Sequence, residues 1–92
     1  MSSPDRTTAV FTIQAAADPG VLPQAVGLFA KHGLIPSRWV GNAHAGDSRL
    51  FLTIEVDGMA DDMAHRLANG LRSLLCVETV VTDSRAALAR RA

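Results

Sequence analysis

The residues best placed to do chemistry in this chain stand together as Asp18-Pro19-Gly20-Val21-Leu22. They open a stretch whose apolar residues recur at helical spacing until His32-Gly33. Read locally, Asp18 caps a helix, Pro19 takes its first position and Gly33 stops it. The first turn of a helix leaves backbone N–H groups without partners, and a glycine there lets an anion approach them. The chemistry on offer is therefore binding. The plainer reading of the same residues is capping alone.

The other reactive side chains assemble into nothing. His32, His44 and His65 fall on different elements without ligand-like spacing, so no metal site is expected. Cys76 is the one cysteine, which excludes an internal disulfide and fits a reducing compartment. Flanked by Leu75 and Val77, it is expected to be buried and inert. No thiol pair follows the first strand, as a metal carrier needs, and no arginine stands there to cradle a phosphate. Nothing in the chain implies a cofactor or a catalytic residue.

Ninety-two residues make one modest core. The formal charge is zero, with 9 basic and 9 acidic residues, but the charges are unevenly placed. Residues 7–83 carry five bases against eight acids, or −3, while residues 84–92 carry Arg85, Arg90 and Arg91 with no acid, or +3. A mildly acidic folded part argues against nucleic acid. The two central strands also lack the aromatic platform of an RNA reader, since they offer only Phe11 and Phe51 and the chain has no tyrosine. No apolar run reaches membrane-spanning length and no signal-peptide pattern opens the chain, so the cytoplasm is the expected compartment. The domain is assigned to residues 7–83 and a basic tail to residues 84–92, solvated or ordered by a partner.

The elements that must position Asp18 and its neighbours follow from periodicity. Residues 10–15 alternate, with Phe11, Ile13 and Ala15 on one face. Leu22, Val26 and Phe29 form the expected buried stripe of the first helix, with Ala25 and Ala30 beside them. Pro36 favours extended chain over 37–44, an edge strand carrying Trp39 as an anchor. A turn at 45–48 leads to strand 50–56, where Leu50, Leu52, Ile54 and Val56 alternate with Phe51, Thr53 and Glu55. Asp61 or Asp62 caps a second helix with the stripe Met63, Leu67, Leu71 and Leu74, and residues 77–83 form the last strand. The order β-α-β-β-α-β predicts an α+β, ferredoxin-like fold: a four-stranded antiparallel sheet, strand order 4-1-3-2, with two helices on one face. The other face mixes Val10, Thr12, Gln14, Phe51, Thr53 and Glu55, and is either solvated or covered by a second copy.

The strand, the Asp18-Pro19-Gly20-Val21-Leu22 turn and the helix Gly27-Leu28-Phe29-Ala30-Lys31-His32-Gly33-Leu34 resemble the ACT domain, a regulatory amino-acid-binding module. Within that family they look most like the small regulatory subunit of acetohydroxyacid (acetolactate) synthase. The resemblance implies a non-catalytic homodimer that binds a catalytic large subunit, with a branched-chain amino acid as effector. It places the effector between the first helix of one copy and the second strand of its neighbour. On this chain the N–H groups of Gly20, Val21 and Leu22 would take the α-carboxylate, and Asp18 would accept from the α-ammonium. Leu22 would line a side-chain pocket with Arg38 and Val40. ACT sequences often carry an asparagine just after the helix glycine; here Ile35 and Pro36 stand at those positions. Two alternatives remain open: a stand-alone ACT protein serving another enzyme, and a small ferredoxin-like enzyme. The second needs polar groups between sheet and helices, where apolar residues are expected.

Overall fold

The computed structural model describes residues 7–43, 46 and 48–86. Six elements follow in the expected order: β1 (Thr7–Ala16), α1 (Val21–Lys31), β2 (Arg38–Ala43), β3 (Arg49–Asp57), α2 (Asp61–Arg72) and β4 (Val77–Ala86). The strands form one antiparallel sheet ordered β2-β3-β1-β4, which is the predicted ferredoxin-like topology. Ala9, Phe11, Ile13 and Ala15 of β1 pair with Val56, Ile54, Leu52 and Leu50 of β3. All eight are buried, because alternate residues of paired strands share a face and both helices cover this one. Phe29 of α1 meets Phe11 edge to face, ring centroids 5.4 Å apart, and Leu67 and Leu71 of α2 complete the core.

The structure corrects the phase of α1. Val21, Ala25 and Phe29 are the buried residues, while Leu22 and Val26 stand 39% and 42% exposed. The helix starts later than expected, at Val21 with Gly20 as its cap, not at Pro19. Once Val21 is turned inward, positions four and eight residues on follow it, and Leu22 lies about 100° around the helix. The far end behaves as read. Gly33 adopts φ +72° and donates to Ala30, while the Leu34 N–H donates to Phe29, a Schellman closure.

In α2 the cap is Ala60, with Asp61 and Asp62 in the first turn, where carboxylates complement the helix dipole. Ala64, Leu67, Ala68 and Leu71 are buried, while Met63 and Leu74 pack partly against the core. β4 runs on to Ala86, so the segment assigned as a tail begins inside the sheet; residues 87–92, and with them Arg90 and Arg91, lie outside the described residues. His44, Ala45 and Asp47 lie outside them as well. The sheet face without helices is not uniformly open. Thr8 and Glu55 are buried there, with Thr8 Oγ1 donating to Asp57 Oδ1 at 2.8 Å and Arg38 Nε lying 3.7 Å from Glu55 Oε2.

Candidate functional site

The turn between β1 and α1 is pinned on both sides. The Ala17 N–H donates to the Ser48 carbonyl and the Ala16 N–H to the Cys76 carbonyl, each at 2.8 Å. Asp18 then folds back on the chain. Its Oδ1 accepts from the Gly20 N–H at 2.8 Å, and its carbonyl accepts from the Val21 N–H at 3.0 Å. An aspartate that satisfies the N–H two residues on closes its own turn, which delays the helix to Val21. Gly20 has an ordinary helical φ of −72°, so its value here is space: a Cβ would come 3.3 Å from the Asp18 carboxylate.

Of the three N–H groups expected to face a carboxylate, those of Gly20 and Val21 are thus engaged within the turn. The next helical residue after Leu22 is Pro23, which has no N–H. Among the described residues no group accepts from the Leu22 N–H, so it is the donor left at this helix start. The side chains of Leu22 and Val26 rise beside it, exposed and apolar.

Cys76 is half-buried and not sealed in the core as expected. It belongs to the same corner. Desolvation raises its thiol pKa above the ordinary 9.0, and the neighbouring Asp18 carboxylate adds to this as a charge and as a hydrogen-bond partner. The thiol is therefore kept protonated and slow as a nucleophile.

Arg38 and Val40 lie elsewhere. They pair with Glu55 and Thr53, whose side chains occupy the sheet face away from the helices. Trp39 and Gly41, paired with Ile54 and Leu52, are the β2 residues on the face of α1. Within one copy the structure therefore brings Asp18, Gly20, Val21 and Leu22 together, and leaves Arg38 and Val40 on the opposite face. Alternation held the signal: if Trp39 faces the core, Gly41 shares its face and Val40 does not. The proximity of Cys76 to Asp18 joins residues 58 apart and has no sequence signal.

A shallow cavity of about 240 Å³ opens at the other end of β1, between Ala9, Met59 and Ala64, with Asp61, His65 and Ser84 on its rim. None of the six proposed residues lines it. Among the described residues no cluster of His, Cys, Asp or Glu is arranged to hold a metal, and no helix is long and apolar enough to cross a membrane.

Residues 2–89 match the model of the ACT-like domain, and the chain belongs to that family. Its fold is similar to the ACT domain from GTP pyrophosphokinase of Chlorobium tepidum, with TM-score 0.73 and 22% identity over 85% of this chain and 99% of that one. The C-terminal domain of the MgtC protein from Mycobacterium tuberculosis gives 0.70 and 14% identity, covering 95% and 96%. The regulatory subunit of aspartate kinase from Thermus thermophilus gives 0.67 and 14%, covering 85% of this chain and 50% of that one. These likenesses concern the fold. No curated protein matches the chain in sequence.

Proposed function

We propose that this chain is a non-catalytic regulatory subunit, acting in the cytoplasm as a homodimer and resembling the small subunit of acetohydroxyacid synthase. In this reading it binds the synthase's large catalytic subunit and adjusts its rate. Its effector is an amino acid, branched-chain by the resemblance. The observation that carries the reading is the turn at residues 18–22: an anchored carboxylate, a backbone donor four residues on, and exposed apolar side chains beside them. Asp18 takes the ammonium, the Leu22 N–H takes one carboxylate oxygen, and Leu22 with Val26 meets the aliphatic side chain. Gly20 and Val21 hold the turn in shape.

The dimer is supported by the β2 edge, where half-buried Trp39 and exposed Gly41 lie on the face of α1. A second copy pairing there covers Trp39 along with Leu22 and Val26, an apolar surface of the kind interfaces use. The partner's Trp39 and Gly41 strand face then completes the pocket in the place assigned by sequence to Arg38 and Val40.

Ile35 supports a second reading. It is 86% exposed at a position where ACT sequences often carry asparagine, and it offers an amino acid no hydrogen bond. The same face then serves a protein partner alone. Adding the purified chain to the large subunit of acetohydroxyacid synthase from the same cell tests the proposal. A raised rate supports it; an unchanged rate with no co-elution removes the synthase role.

A further inference from the structure

The sheet ends in two edge strands, β2 and β4, and they are protected differently. β4 is the longer, Val77–Ala86 against Arg38–Ala43. A long edge presents a row of N–H and C=O groups to any other strand, and proteins commonly block it with charges or bulges. Arg72, in the last turn of α2, reaches this edge. Its Nη2 donates to the Val80 carbonyl at 2.9 Å and its Nη1 to Asn69 Oδ1 at 3.0 Å. β1 fills the inner side of β4, so the exposed guanidinium meets that carbonyl from the outer side. A register shift opposite Gln14 and Ala15 interrupts the same strand. Along β2, by contrast, no side chain among the described residues bonds to the backbone of Arg38–Ala43.

We infer that Arg72 closes the β4 edge to strand pairing with a second copy of this chain and confines self-association to β2. The identity of β2 as the open edge rests on the dimer proposed above; the closure of β4 does not. A two-fold contact through one edge ends at a dimer. With both edges open, each copy has two pairing surfaces, and dimers join into open chains. The partner excluded is another β4 running antiparallel, a contact that would also cover Val81, now 60% exposed.

The test is sedimentation velocity of the full chain carrying Arg72→Leu, which keeps an aliphatic stem and removes the donors. The mean mass is expected to rise to at least about twice the wild-type value at roughly 100 μM, and to grow with concentration. Adding Val81→Lys places like charges opposite one another in a β4 pair and is expected to return the wild-type mass. A folded Arg72→Leu chain that keeps the wild-type mass at every concentration overturns the inference. If that chain does not fold, Arg72→Ala, which removes the same donors and keeps a strong helix former in α2, takes its place. Growth then supports the inference, and an unchanged mass overturns it. A monomeric wild-type protein removes the β2 dimer alone, and Arg72→Leu is then expected to pair once, as a dimer.

Discussion

Replacing Asp18 with alanine removes two functions at once, and the geometry allows them to be separated. The first is structural. Oδ1 accepts from the Gly20 N–H at 2.8 Å on the surface, and no other described group is placed to take it over. Losing such an acceptor at a helix start costs about 1 kcal/mol, within a range of about 0.5–2. For a domain of this size each kcal/mol lowers Tm by about 4–8 °C. The second is the proposed contact with the effector's ammonium, a hydrogen bond to a charged group worth about 1.5–3 kcal/mol. That is a loss of roughly 10- to 150-fold in affinity. Asp18→Asn separates the two, because its amide oxygen still accepts from Gly20 while the charge is gone. Thermal melts and calorimetric titration of both variants give the readout. Alanine is expected to lower Tm and affinity; asparagine is expected to retain most of Tm and lose the affinity. An asparagine variant that binds as the wild type does would reduce Asp18 to a turn residue. An alanine variant with unchanged Tm would refute the turn geometry itself.

Phe29→Ala empties a site closed on all sides and breaks the edge-to-face pair with Phe11, so urea unfolding is expected to show a loss of about 3–5 kcal/mol. Gly41→Ala puts a Cβ 2.9 Å from Leu52 Cδ2 and is expected to cost about 1–3 kcal/mol, read from the same unfolding curves. Cys76 is expected to react with iodoacetamide more slowly than free cysteine, and faster once Asp18→Ala removes the adjacent charge. Its raised thiol pKa also has a sign. The contribution is present below the unfolded thiol's pKa and is lost as pH rises through the higher folded value. Melting temperature is therefore expected to fall above about pH 9, and Cys76→Ser to remove that part of the fall.

The parts of the fold legible in the sequence were those in which one physical rule acts alone. Strand β3 could be read because Leu50, Leu52, Ile54 and Val56 alternate without interruption, and a one-residue slip would turn all four outward. The topology followed from the order of elements and the right-handed crossover. Helix α1 was legible in kind but not in phase. Val21 and Leu22 are both apolar, and which one turns inward depends on where the chain leaves the preceding turn. That exit is fixed by the Asp18 carboxylate on the Gly20 N–H, a local bond that the capping rules also allow in another register. For the site, the cluster at residues 18–22 was readable because it is contiguous. The β2 contribution was not, because it depends on the pairing of Trp39 with Ile54 and of Gly41 with Leu52.

The central claim is that the start of α1 receives an amino acid. A thermal-shift series of the purified full chain against the twenty amino acids, each at millimolar concentration, addresses it most directly. Binding to the folded state alone adds about 2.7 kcal/mol at a hundredfold excess over Kd, or roughly 10–20 °C for a domain this small. The account predicts a rise confined to valine, leucine or isoleucine and abolished by Asp18→Asn. No shift with any amino acid would contradict it and leave this face to a protein partner.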